Sequence, residues 1–374
     1  MTPMLEQYVY WKEQYPDSLL FFRMGDFYEM FFEDAHIASS VLDIALTSRS
    51  KESENAIPMA GVPFHSVDSY LAKLVAAGYR VAICEQVTVP DGRNLVQREV
   101  TRLVTPGTWL SEGGDSDGSL AACLFDGKNV SVAFLTTATG TLKAGTFRIE
   151  EAASIFSSFR PAEILVRNGQ AENLKEFYPE SAKISVVERE RGEFDIRTSS
   201  EWLCRKWGIA TLNSMGLDDR DPACGAAAAA LRYLEETQFS KALHVTQLIP
   251  LLPEEYMILD RNTVSNLELI EPYDISLFSV LNRCRTAMGK RMLKEWILSP
   301  LKDIDLISKR ADAIEELVSD GAFRARMGHL LSSCGDMEKA ISRLTLKMGS
   351  PNDLLTVRET LKALPDLVYM MSGR

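Results

Sequence analysis

The hydrophobic period of this 374-residue chain changes once, near Asn262, and that change sets the number of folding units. Before it, short apolar runs at 19–23, 80–86, 99–104, 120–125, 130–135, 141–149 and 164–166 read as strands, with helical periods between them. After it only helical periods remain, at 264–270, 277–283, 288–298, 304–318, 337–346 and 354–364. The two parts bury their apolar residues at different spacings, so they form separate units, and a chain of this length supports two or three domains.

Pro106-Gly107 closes the first sheet-building stretch, and the acidic, small-residue run Ser111-Glu112-Gly113-Gly114-Asp115-Ser116-Asp117-Gly118-Ser119 follows it. The expected organisation is a mixed-sheet α/β domain at 1–108, a linker at 109–118, a second α/β domain at 119–243, a linker at 244–256 and a helical region at 257–374. In the first domain a helix is expected from Asp26 onward, a strand at 43–47 and a loop at 49–55. An amphipathic helix is expected from Ser66 through Tyr70, Leu71, Leu74 and Val75 to near Gly78. In the second domain Asp126-Gly127-Lys128-Asn129 reads as a hairpin turn, and the Ala-rich stretch 226–237 as a closely packed helix.

Composition narrows the class. A 46% hydrophobic and 25% charged chain is an ordinary globular one, without a run of the roughly 20 apolar residues that spans a bilayer. Residues 1–8 lack the basic flank and apolar run of a signal peptide, so a cytoplasmic location is expected. The cysteines Cys84, Cys123, Cys204, Cys224, Cys284 and Cys334 are scattered without metal-ligand spacing and read as reduced thiols. The net charge of −11 argues against non-specific coating of a phosphate backbone, and residues 1–107 carry nine Lys/Arg against fourteen Asp/Glu. A local contact with nucleic acid stays open.

The aromatic segment Phe21-Phe22-Arg23-Met24-Gly25-Asp26-Phe27-Tyr28-Glu29-Met30-Phe31-Phe32 has two readings. In one, Asp26 caps a helix and Glu29 is its capping-box partner. In the other, Phe27 projects from the first helical position and can wedge between bases, while Glu29 selects against well-paired DNA. The stretch Ile57-Pro58-Met59-Ala60-Gly61-Val62-Pro63-Phe64-His65 reads as a rigid loop, either a connection or an approach to a DNA backbone near Met59. Arg283, Arg285, Lys290, Arg291 and Lys294 are the densest basic run, either a salt-bridged face or a phosphate contact. Neither Gly289-Lys290 nor Gly127-Lys128 completes a Gly-x4-Gly-Lys-[Ser/Thr] phosphate loop.

Four segments in order resemble the MutS mismatch-recognition family: Gly25-Asp26-Phe27-Tyr28-Glu29 with Met30-Phe31, then 57–65, then Ala82-Ile83-Cys84-Glu85-Gln86, then Val104-Thr105-Pro106-Gly107-Thr108. Leu259-Asp260-Arg261-Asn262-Thr263 and Thr286-Ala287-Met288-Gly289-Lys290-Arg291 resemble the start of its helical core, or lever, domain. The resemblance implies that Phe27 stacks on a mispaired base of kinked double-stranded DNA while Glu29 hydrogen-bonds to it. It also implies a ribonuclease H-like connector at 119–243 that docks a MutL-type repair protein, with Glu201 and Trp202 standing where some relatives carry a Gln-Gln contact pair. Thr136 stands where the family commonly has an Asp, and no carboxylate set for a metal-dependent nuclease is visible. The resemblance covers the first two-fifths to one-half of a typical member, so the expectation is a piece of a longer chain or a shortened relative. The full-length family is implied to be a homodimer and an ATPase using ATP and magnesium; this chain is expected to have no cofactor and no enzymatic activity of its own. The competing reading is a scaffold of the same descent that binds proteins and no longer reads DNA.

Overall fold

A computed structural model describes residues 2–49, 56–88, 96–110, 118–252, 256–257, 259–270 and 275–372. The first domain begins with α1 (Pro3–Gln14), β1 (Leu19–Met24), β2 (Phe27–Phe31) and α2 (Phe32–Leu42), and continues with β3 (Thr47–Arg49), β4 (Ile57–Pro63), α3 (Val67–Ala76), β5 (Val81–Gln86) and β6 (Arg98–Val104). Its sheet runs β3-β4-β2-β1-β5-β6, with β1 and β5 parallel and every other neighbour antiparallel. Side chains alternate across the pleat. Leu19, Phe21, Tyr28, Met30, Ala60 and Val62 face α2 and α3, while Leu20, Phe22 and Phe31 face Met4, Leu5 and Tyr8 of α1. Asp34, 3% exposed, joins these parts: it accepts hydrogen bonds from the Tyr8 hydroxyl at 2.8 Å and the Leu20 amide at 3.0 Å, and pairs with Lys12 at 2.9 Å.

Three local expectations are corrected here. The helix expected from Asp26 is strand β2, and α2 starts only at Phe32. Gly25, at φ +60°, makes a two-residue turn with Asp26, and the aromatic run on either side suits a pleated surface better than a helix. Asp26 and Glu29 therefore form no capping box. The strand expected at 43–47 is displaced, because Asp43 ends α2 in a left-handed conformation and β3 takes Thr47–Arg49. The expected loop at 57–65 is strand β4 plus a short 3-10 turn at Phe64–Ser66, with Pro58 and Pro63 near the strand ends. The loop expected at 49–55 falls outside the described residues except for Arg49, which ends β3.

The second domain comprises β7 (Ser119–Asp126), β8 (Asn129–Thr136), β9 (Thr141–Arg148), α4 (Ile149–Phe159), β10 (Glu163–Arg167), α5 (Ala171–Phe177), β11 (Ser185–Arg189), α6 (Ile196–Trp207), α7 (Ala223–Gln238) and β12 (Leu248–Pro250). Its order is β11-β10-β7-β8-β9-β12, with β8 antiparallel to both neighbours and β10 and β11 parallel to β7. The hairpin turn at 126–129 forms as expected, with Gly127 at φ +58°. The Ala-rich helix α7 lies on one face of this sheet with Ala226 to Ala230 fully buried, and α4 and α5 cover the other face. Of the stretch expected as the first linker, Trp109 and Leu110 are buried in packed clusters, and 111–117 lie outside the described residues.

His244, after α7, carries a consequence for pH. Its Nε2 donates to the Thr137 carbonyl at 3.1 Å, while its buried Nδ1 has no hydrogen-bond partner among the described residues. Burial pushes its pKa down to about 4. A depressed histidine binds a proton more readily unfolded than folded, so its contribution is complete above pH 6.5 and is lost as pH falls toward 4. The loss is on the order of 2–3 kcal/mol. Denaturant titrations at pH 7 and pH 4.5 measure it; a His244→Gln chain should lose less stability between those values than wild type.

The helical part comprises α8 (Arg261–Asn266), α9 (Leu277–Leu281), α10 (Ala287–Leu298), α11 (Ile304–Ser319), α12 (Gly321–Ser332), α13 (Met337–Thr345) and α14 (Pro351–Met371). Asp260, Ser276, Thr286, Asp303, Asp320 and Asp336 each cap a helix by accepting a backbone amide. Helix α12 is not announced by its apolar spacing, and α14 runs through Pro365 beyond the expected end at 364. No described helix is long and apolar enough to cross a membrane.

Candidate nucleic-acid interface

The tip of the β1–β2 hairpin carries the first candidate pair. Strand pairing sets Met24 opposite Phe27, Arg23 opposite Tyr28 and Phe22 opposite Glu29. Phe27 is 46% exposed, whereas Tyr28 is 5% exposed and Phe31 fully buried, so Phe27 is the aromatic of β2 that points out of the fold; Phe32, the other exposed aromatic of the run, lies beyond the strand at the start of α2. The strand period places Phe27 and Glu29 on the same face, about 7 Å apart along the chain. On the expected helix, positions two apart would have faced different directions. The correction to β2 therefore joins the two residues that the helical reading would have separated.

Neighbouring strands complete this face. In register, Gly61 lies beside Glu29, and Pro63 beside Phe27. A Cβ built on Gly61 would stand 3.6 Å from Glu29 Cγ and 3.8 Å from Phe27 Cδ1, so the glycine leaves an open floor between the two. Met59, expected near DNA, stands on the same face beside Phe31, farther from the tip and partly buried against the α1-side core. Behind the face, Arg98 donates to the Arg23 carbonyl at 2.7 Å and lies over the Phe22 ring at 4.9 Å. Burial lowers the Arg98 pKa; Cys84 and Glu29 act in the opposite direction. Glu29 is thus electrostatically linked to a buried cation.

The other side of the tip is braced. The Phe64 amide donates to the Asp26 carbonyl at 2.9 Å, and Arg23 stacks over the Phe64 ring at 3.8 Å. Arg23 also pairs with Glu85 at 3.8 Å, and Glu85 accepts a short hydrogen bond from the Tyr28 hydroxyl. Burial and Glu85 push the Tyr28 phenol above its ordinary range, which keeps it a donor at neutral pH. Gly61, Arg98 and Glu85 escaped sequence reasoning because their place depends on strand register.

The remaining candidates lie elsewhere. Glu201 on α6 is exposed and pairs with Arg197 at 3.2 Å. Trp202 packs partly buried against the connector core, with Arg232 over its ring at 4.9 Å, so it is not a free-standing anchor. Thr136 ends β8, and among the described residues no group of three or more His, Cys, Asp or Glu is placed to hold a metal ion. Of the basic run, Arg291 makes a two-pronged pair with Asp336 at 2.8 and 2.7 Å and reaches Glu338 at 2.7 Å, which is the salt-bridged reading. Such a pair fixes α10 against α13 and is not offered to phosphate.

Three family descriptions match the chain consecutively: MutS domain I over residues 2–113, MutS domain II over 118–247 and MutS domain III over 262–374. The DNA mismatch repair protein MutS of Myxococcus xanthus is 38% identical over 390 residues, covering 100% of this chain and 43% of that protein. The proteins of the same name from Methanothrix thermoacetophila and Aquifex pyrophilus are 37% and 36% identical, again covering 100% of this chain and 43% of each relative. A mixed-sheet domain with an outward hairpin, a second α/β domain and a helical region follow one another in the same order as the three matched family domains. The chain belongs to the MutS family, spanning its domains I to III and 43% of the length of these relatives.

Proposed function

We propose that this chain reads mispaired bases in double-stranded DNA, with Phe27 as the wedge and Glu29 as the selector. The observation that carries the reading is the exposed Phe27 at a braced hairpin tip with Glu29 on the same face. Relatives named as DNA mismatch repair proteins support a role in that process. An aromatic wedge must unstack a base step, which costs a few kcal/mol in paired DNA and less at a mismatch. A carboxylate beside it repels the phosphate backbone and is tolerated where a displaced base edge offers it a hydrogen bond. Discrimination then comes from deformability: bending DNA costs roughly 1–6 kcal/mol, and a mismatch lowers that cost.

Docking of a MutL-type protein on the connector, dimerisation and conversion of the reading into an ATP-driven signal are proposals for a longer protein. The acidic first domain favours the second reading, a protein scaffold without DNA recognition. Fluorescence anisotropy with a duplex carrying one mismatch and its matched counterpart, at two salt concentrations, separates the two. The reading expects tighter mismatch binding at both concentrations. Equal affinity at both sinks it and leaves the scaffold.

A further inference from the structure

Glu163, the first residue of β10, is fully buried in the connector, yet half of its carboxylate serves another domain. Oε1 accepts from Tyr233 at 2.9 Å and Ser185 at 3.3 Å, both within the connector. Oε2 accepts from the Thr105 hydroxyl at 2.5 Å and the Gly107 amide at 3.1 Å. Thr105 directly follows β6, so this oxygen holds the chain where it leaves the first sheet. The approach is close: a Cβ on Gly107 would come within 2.8 Å of Glu163 Cβ and 2.9 Å of Oε2.

The rest of the exit segment is also held by the connector. Thr137 donates to the Gly107 carbonyl at 3.3 Å, and Gln238 to the Thr108 carbonyl at 3.3 Å. Thr105 to Leu110 are all buried. A seam with its polar groups satisfied by the neighbouring domain is a rigid joint, unlike a solvated linker. An apolar side chain in the Glu163 site would leave the buried Thr105, Gly107 and Tyr233 donors without this acceptor, so the carboxyl group both stabilises the seam and fixes its geometry.

We infer that Glu163 is a positioning residue that clamps the exit of the first domain and so fixes the direction of the Phe27 hairpin relative to the connector. Its functional arm rests on the mismatch reading above; its structural arm does not. A wedge gains only when it meets a base step in the right pose, so a loosened joint lowers discrimination while leaving the hairpin intact.

The test compares wild type with Glu163→Met, which keeps chain length and removes both acceptors, and with Thr105→Val, which removes one donor and leaves the connector intact. Hydrogen exchange at residues 105–110 and the mismatched-to-matched affinity ratio are the two readings. Glu163→Met should speed exchange across that segment roughly tenfold, as loss of the bonds accepted from Thr105 and Gly107 implies, with the exchange of β1 and β2 unchanged. The affinity ratio should fall with it. If Glu163→Met does not fold, Thr105→Val decides by the same two readings. Unchanged exchange at 105–110 in a folded variant overturns the clamp. Faster exchange with an unchanged ratio, in a chain whose wild type discriminates, overturns the positioning role. Faster exchange when wild type itself does not discriminate upholds the clamp and removes the mismatch reading instead.

Discussion

A Phe27→Ala chain is expected to bind mismatched and matched duplexes with equal affinity. Stacking of a base on an aromatic side chain contributes about 1–3 kcal/mol, so the mismatched complex should weaken by roughly 5- to 150-fold. The matched complex should change little, because a well-stacked step does not admit the ring and contributes no stacking to lose. Phe27 is nearly half exposed and stands at a turn, so its removal costs little folding stability. Phe27→Tyr keeps the ring and should retain most of the preference. Anisotropy titrations at one fixed salt concentration, with circular dichroism to confirm the fold, make the comparison. A persistent preference in the alanine chain would show that the discrimination resides elsewhere.

Asp34→Ala should cost the first domain about 3–5 kcal/mol, the range for breaking a buried charged network by removing one partner. The carboxylate is 3% exposed and meets three donors, Tyr8, Leu20 and Lys12. Its loss strands the Leu20 amide at the start of β1, leaves the buried Tyr8 hydroxyl only the longer bond to the Phe31 carbonyl at 3.3 Å, and leaves a cavity beneath α2. Lys12 is partly exposed and can turn to water, so the cost falls mainly on the buried backbone and hydroxyl donors. Urea unfolding followed by tryptophan fluorescence measures the loss through Trp11 and Trp109, which lie in this domain's clusters. A change below about 1 kcal/mol would mean that the network contributes no more than an ordinary surface pair.

The sequence announced the division of the chain because a change of hydrophobic period survives any detail of packing. Its strands in the connector were legible for the same reason: 120–125, 130–135 and 164–166 are apolar runs bounded by turn residues, and they became β7, β8 and β10. The first hairpin was misread where two signals compete. Asp26 with Glu29 three residues on has the form of a helix cap, while Gly25-Asp26 between aromatic runs has the form of a two-residue hairpin. Strand pairing to β1 and β4 decided for the hairpin, a long-range energy that no local window contains. Glu163 was invisible for a related reason. In sequence it is one charge before an apolar run, and its partners Thr105 and Tyr233 lie 58 and 70 positions away. Phe27 and Glu29 were singled out through the family resemblance, and the strand places on one face two residues that a helix would have turned apart.

The central claim is that Phe27 enters the base stack at a mispair, and 2-aminopurine fluorescence beside the mismatch tests it most directly. This base analogue brightens when it is unstacked and responds again when a ring takes the vacated place. The account predicts a change in emission when wild type binds the mismatched duplex, no change on the matched duplex, and no change with Phe27→Ala at concentrations that saturate binding. The same emission change with Phe27→Ala bound would contradict it.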